Sequence, residues 1–227
     1  MYAFRTRHGP ADLCFTDRSG GVGASPGAEL GRHVVEDFTQ GDPVRGVHQV
    51  HGGGVAVVGD AVAGPVTPPD ADALVTDLTG VTLVVRAADC VPVLLVDEAR
   101  GVVAAAHCGR AGLLAGILRN TVAAMRELGA VTPTAWIGPH VCGACYEVPL
   151  ELQDEVASAV PTSRATTSWG TPSLDLGAGV RAQLEDEHVT VVDVSRCTLE
   201  SADLHSYRRD GLQAGRNAAL VRLRRPT

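Results

Sequence analysis

The chain has 227 residues, a length that suits one large domain or two small ones, and 45% of it is hydrophobic with only 4% aromatic, so Ala, Val and Leu carry the apolar side. A net charge of −7 offers no overall attraction to nucleic acid or anionic lipid, and the longest apolar runs fall far short of the ~20 residues of a membrane span. All 19 basic residues are arginine, which excludes chemistry that requires lysine, such as a Schiff base or a P-loop.

The opening residues, MYAFRTRHGP, lack the apolar stretch of a secretion signal, and the expected location is the cytoplasm. Residues 1–46 are rich in Gly, Asp and Arg. Short strands are expected near 2–6 and 12–17, then a long surface loop whose loosest stretch is SGGVGASPG (19–27). No low-complexity linker and no internal repeat follow, which favours a single domain over residues 1–227. In the centre, VTLVVRA (81–87), VPVLLV (91–96) and GVVAAAH (101–107) are β-branched apolar runs of strand length, and DEAR (97–100) reads as the turn between the last two. Pro92 cannot donate to a ladder and belongs near the start of its strand or on an edge. From Gly109 to Gly129 the period becomes helical, with Leu114, Ile117, Leu118, Thr121, Val122, Met125 and Leu128 on one face and Gly129 as the stop. TAWIGP (134–139) and VTVVDVS (189–195) are further expected strands, and 149–160 and 174–187 expected helices. Clustered strands with helices between some of them predict a mixed α/β or α+β fold.

Six cysteines in a chain of this length do not form a disulfide framework, so the question is which thiols bind or react. Pairing Val96 with Gly101 and continuing inward sets Cys90 opposite His107 at the open end of the central hairpin. Cross-strand neighbours there are close enough for a thiolate and an imidazole to reach one cation. His107 also precedes a helix start, a place that attracts anions. On spacing alone, a Cys and a His at strand ends are more often packing residues than ligands. Asp89 beside Cys90 could orient a histidine, act as a base, or serve as a structural acceptor. Arg208 and Arg209 of SYRRDG, with Arg216, form a basic cluster that suits phosphate or carboxylate, or else a solvated surface. Cys142 and Cys145 make a lone CxxC without the second pair of a zinc ribbon and are read as structural thiols. Cys108 and Cys197 are read as packed, and Cys14 is left undetermined. The eight histidines include no HxH pair, which argues against a multicopper oxidase centre.

The blocks HQVHG (48–52), RAADCVPVLLVD (86–97), AAHCGRAGL (105–113), IGPHVCGACYEV (137–148) and SYRRDG with GR (206–211, 215–216) resemble, in order, the signature blocks of the YfiH-like, laccase-domain family of purine nucleoside phosphorylases. The resemblance implies that His51, Cys90 and His107 bind zinc, with copper as the alternative ion. It also implies catalytic roles for Cys90, His107 and Asp89, and substrate or phosphate contacts from Arg18, Gln49, Arg110, Arg208 and Arg209. The implied fold is a layered α/β sandwich of mixed β-sheets with flanking helices. The chain departs from the family where HAGWRG becomes HCGRAG, moving the arginine to Arg110 without the tryptophan. The region before QVHG is shortened, and Leu204 and His205 replace two aromatics.

The expected activity is zinc-dependent phosphorolysis of inosine, adenosine or methylthioadenosine to the base and a sugar 1-phosphate, with some deamination of adenosine. The partners are then a nucleoside and phosphate, with no nucleic acid and no membrane, and the chain acts as a monomer. One alternative is a cysteine or zinc hydrolase, an amidase removing wrong amino acids from peptidoglycan precursors. Another is a metal- or nucleoside-binding protein without turnover.

Overall fold

The computed structural model describes residues 1–23, 30–59 and 67–225. Strands β1 (Tyr2–His8) and β2 (Ala11–Thr16) form the opening hairpin, turning at Gly9 with φ +52°. Helix α1 (Arg32–Thr39) follows, then the short strands β3 (Val44–Arg45) and β4 (Val55–Val57). Next come β5 (Ala73–Thr76), β6 (Thr82–Ala87), β7 (Val91–Asp97) and β8 (Val102–Cys108). Helices α2 (Arg110–Leu114) and α3 (Ile117–Glu127) lead to β9 (Thr134–Ile137), α4 (Leu150–Ala159) and the ribbon β10 (Arg164–Thr166) and β11 (Pro172–Leu174). The chain ends with α5 (Leu176–Asp186), β12 (Thr190–Asp193), α6 (Tyr207–Asp210) and β13 (Asn217–Leu223). No helix of the described residues is long and apolar enough to cross a membrane.

Two mixed sheets stack. One has the order β1-β2-β13-β6-β3, the other β12-β9-β7-β8-β5-β4, and in each the edge strand last in that order pairs parallel with its neighbour. The period-2 alternation of strand side chains decides what each face meets. Val93 and Leu95 of β7, with Val102, Ala104 and Ala106 of β8, pack under helices α2 to α5. Their alternates Leu94, Val96, Val103 and Ala105 face the other sheet, where Leu13, Phe15, Leu83, Val85, Ala219 and Val221 complete the inter-sheet core. Outside the first sheet, Val84, Ala218 and Leu220 pack against Val34 and Phe38 of α1. The result is four layers, helix, sheet, sheet, helices, as the mixed α/β reading anticipates.

The central hairpin has a different register from the expected one. Asp97 pairs with Val102 and Val96 with Val103, so His107 lies opposite Pro92 and not Cys90. Gly101 is the cause: it sits in the turn at φ +62°, its amide donating to the Asp97 carbonyl at 2.9 Å, and the loop becomes EARG in place of DEAR. Pro92 is the second residue of its strand, as expected. The expected helix over Gly109–Gly129 is interrupted at Gly116, whose φ of +69° ends one helix and caps the next. Its buried face, Ile117, Leu118, Thr121, Val122 and Met125, is the expected one. The stretch read as a long loop contains α1, while residues 24–29, which include the end of SGGVGASPG, lie outside the described residues.

Candidate metal centre and its cavity

Strand alternation gives His107 the same face as Val103 and Ala105, so its ring stands at the end of the inter-sheet layer, just where β8 leaves the sheet. Its amide donates to the Asp72 carbonyl at 2.7 Å, and its Nδ1 meets Asp72 Oδ1 at 2.9 Å. The fully buried Asp72 carboxylate also accepts the amides of Val50, His51 and Gly52 at 3.3, 3.0 and 2.6 Å. It thereby shapes the HGGGV loop and holds His51 at φ +61°. Burial disfavours a charged Asp72, yet bonds from the His107 ring and these amides keep it below the usual carboxylate range.

Cys90 reaches the same point from the tight connection between β6 and β7. There Asp89 takes φ +88°, and both its carboxylate oxygens are engaged: Oδ1 by Thr198 Oγ1 and Oδ2 by the Arg208 amide, each at 2.6 Å. Asp89 thus accepts structural hydrogen bonds at the cavity wall, and Asp72 is the carboxylate bonded to a histidine ring.

One ligand atom from each of His51, Cys90 and His107 lies within 4.8 Å of the others, and the two imidazole rings stand edge to face with centroids 4.8 Å apart. Burial alone would raise the Cys90 thiol, but hydrogen bonds to His107 and His51 outweigh it and bring the thiol down to about 6. Burial works against charge on His107 as well, yet Asp72 and Cys90 on its two sides push it up to about 9; His51 is raised chiefly by its bond to Cys90. A thiolate and two imidazoles, one with its other nitrogen fixed by a carboxylate, make the donor set of a three-ligand zinc or copper site with an open position. Gly109 leaves room for this approach, since a Cβ there would press on the pair at 3.0 Å from His51 Cδ2 and 3.1 Å from Cys90 Sγ.

The triad opens into a cavity of about 980 Å³. Val47, Ala87 and Ala88 give it apolar wall, Tyr146 and Tyr207 give aromatic faces, and Arg86, Arg208 and Arg216 bring guanidinium groups to it. None of these three arginines forms an ion pair among the described residues. Arg208 lies over the Tyr146 ring at 4.8 Å and Arg216 over Tyr207 at 5.8 Å.

Of the residues singled out in the sequence, His51, Cys90, His107, Asp89, Gln49, Arg208 and Arg216 line this cavity. Gln49 has its amide paired with the Arg86 backbone in both directions, at 2.8 and 2.9 Å. Arg18, Arg110 and Arg209 are not among the lining residues. Arg18 pairs with Asp210 at 2.5 Å, and Arg110 approaches Glu155 at 3.9 Å. Arg209 is spent on Asp210 and on the carbonyls of Thr198, Ser201 and Leu204. Asp72, Arg86, Tyr146 and Tyr207 were not singled out. The habit of a ligating histidine to hand its second nitrogen to a carboxylate points to some acidic partner, but 26 acidic residues leave the choice open. Cys197, expected to be packed, is half-buried beside Cys142 and Cys145.

Residues 32–224 match the family model described as multi-copper polyphenol oxidoreductase laccase. A Streptomyces coelicolor protein named purine nucleoside phosphorylase is 49% identical over 222 residues, covering 88% of this chain and 90% of its own. A Corynebacterium glutamicum protein of the same name is 40% identical, covering 97% and 98%. Among solved structures, a Neisseria meningitidis protein described by the family model DUF152 superposes with a TM-score of 0.81 at 33% identity, covering 98% of this chain and 99% of that one.

Proposed function

This chain belongs to the YfiH-like, laccase-domain family, and we propose that within it the protein is a zinc-dependent purine nucleoside phosphorylase. In this reading inosine, adenosine or methylthioadenosine reacts with phosphate, and deamination of adenosine is a side reaction of the same centre. The observation that carries the reading is the junction, in one cavity, of the His51–Cys90–His107 triad with guanidinium groups that form no ion pair among the described residues, in a chain whose net charge is −7. Such groups suit a phosphate, whose oxygens a planar guanidinium binds two at a time. The relatives named purine nucleoside phosphorylase support the same reaction.

His51, Cys90 and His107 would hold the ion, and a zinc bound there supplies Lewis-acid polarisation of a substrate oxygen or activation of water. Asp72 keeps His107 Nδ1 occupied, so its Nε2 is the nitrogen offered to the cavity. Tyr146 and Tyr207 offer faces on which a purine can stack, and Arg208 and Arg216, seated over those rings, put cationic groups beside them. Phosphate held by the arginines attacks the anomeric carbon. The new C–O bond forms as the C–N bond to the base breaks, and the base leaves with the bonding pair and takes up a proton. A single ion is favoured over a copper cluster because neither metal-competent group among the described residues contains more than two histidines.

The test is to incubate metal-analysed protein with inosine or adenosine, with and without phosphate, and to identify products by mass. The reading expects base and sugar 1-phosphate only with phosphate present, and their loss in Cys90→Ala. Turnover indifferent to phosphate would place the protein among hydrolases instead, and nucleoside binding without any product would make it a binding protein.

A further inference from the structure

Three cysteines outside the cavity converge from distant parts of the chain. Cys142 and Cys145 lie in the connection from β9 to α4, and Cys197 lies in a turn after β12. The two connections run side by side: the His140 amide donates to the Arg196 carbonyl at 3.2 Å and the Thr198 amide to the His140 carbonyl at 3.0 Å. The Cys142 amide points at Cys197 Sγ, 3.5 Å away. The three sulfurs and a Glu200 carboxylate oxygen all lie within 4.8 Å of one another.

The spacing carries a signal that the lone CxxC conceals. Cys142 and Cys145 are separated as Cys197 and Glu200 are, and each pair brackets a turn, closed by the Cys145 amide on the Cys142 carbonyl and the Ser201 amide on the Cys197 carbonyl, both at 3.0 Å. All three thiols are free, and Glu200 has no hydrogen-bond or ion-pair partner among the described residues. Tetrahedral zinc with Zn–S bonds of ~2.3 Å places its sulfurs roughly 3.8 Å apart, a separation inside the 4.8 Å that bounds this cluster.

We propose that Cys142, Cys145, Cys197 and Glu200 form a second zinc site. Four protein ligands close the coordination sphere, so the ion is structural and takes no part in turnover. Its place explains its use. Thr198, next to Cys197, holds Asp89; the Tyr146 amide donates to the Cys142 carbonyl at 3.0 Å; and Arg209 of α6 is anchored on the carbonyls of the 198–201 turn. The ion ties together the two connections that support Asp89, Tyr146 and Arg208 in the cavity wall.

The full chain, purified under reducing conditions with added zinc, tests this by metal content and native mass. Wild type should hold two zinc ions, one per site, and a His51→Ala/Cys90→Ala protein should keep one. A further Cys142→Ser/Cys197→Ser change should remove that ion, and chelation of the His51→Ala/Cys90→Ala protein should lower its melting temperature. Should the serine variants fail to fold, Glu200→Gln, on an exposed side chain, should weaken zinc binding at least ~10-fold, the lower end of what even outer-shell losses cost. No zinc in the His51→Ala/Cys90→Ala protein, zinc that survives the serine changes or is indifferent to Glu200→Gln, or a cysteine disulfide in place of the metal would overturn the proposal. Those results leave the catalytic triad untouched, since its zinc is scored separately in the Cys142→Ser/Cys197→Ser protein.

Discussion

Asp72 offers the metal nothing directly, yet it touches both segments that carry histidine ligands: its Oδ1 faces the His107 ring and takes the His51 amide. Asp72→Asn keeps the shape but loses the charge and puts an NH2 group where one of the amide donors now points. Zinc affinity should drop ~10–100-fold in a chelator competition, as for other carboxylates behind a ligating histidine; an unchanged affinity would remove Asp72 from the account. Arg208→Ala should raise the KM for phosphate about ten- to hundredfold, the value of one charge-assisted hydrogen bond of ~1.5–3 kcal/mol. If only the nucleoside KM moved, Arg208 would belong to the base subsite. Cys90, just before β7, and His107, near the end of β8, stand out in the sequence because these strands are strongly patterned, although the register that pairs them directly is not the observed one. His51 is legible only through the resemblance, and Asp72 not at all, because a carboxylate that acts across the fold leaves no local pattern. Arg18 and Arg209 illustrate the reverse: a basic motif does not say which guanidiniums are already consumed by carboxylates and carbonyls.

At the level of elements, the β7–β8 hairpin fixes where the triad forms, and Asp97 fixes the hairpin. Its fully buried side chain accepts the amides of Arg100, Val131 and Thr132 at 2.9, 2.6 and 2.8 Å, joining the turn to the approach of β9. Burial works against the charge, but these amides hold the carboxyl below its usual range. A depressed folded value means that the contribution is complete above the unfolded-chain value of ~3.9 and is lost as pH falls through the lower folded value. Asp97→Asn should therefore be clearly less stable than wild type in urea at pH 7, and the gap should close below about pH 4. A gap independent of pH would show that packing, not charge, is what Asp97 contributes. The strands of this hairpin are visible in the sequence; their register is not, because it turns on which residue occupies the left-handed position, and Gly101 is one residue beyond the polar run that reads as the turn.

The whole molecule depends on a last strand that the sequence disguises. NAALVRL (217–223) pairs with both β2 and β6 and joins the first sheet, yet it is not among the strands expected from the sequence. Arg222 is 3% exposed, and its guanidinium is met by Asp12, Asp42, the Thr39 carbonyl and Gln40, groups that no local pattern connects to it. Arg222→Ala removes the buried guanidinium that Asp12 and Asp42 share, leaving them to Arg7, Arg224 and Arg225 nearer the surface, and should cost ~1–3 kcal/mol in urea unfolding. A loss below ~1 kcal/mol, the worth of a surface pair, would contradict that role. The layered α/β architecture itself is legible, since strand runs and one helical face announce it; the order of strands, set by which edges meet in three dimensions, is not.

The central claim is that one ion at His51, Cys90 and His107 enables phosphorolysis in the adjoining cavity. Its most direct test is reconstitution: strip the protein and its His107→Ala variant of metal, return zinc stepwise, and follow phosphate-dependent release of base from inosine alongside bound metal. Activity should rise in step with the zinc that the protein binds beyond His107→Ala, about one ion per chain as a single three-ligand site requires, with none regained in His107→Ala. Full activity in the stripped protein, or activity restored without zinc at the triad, would contradict the account.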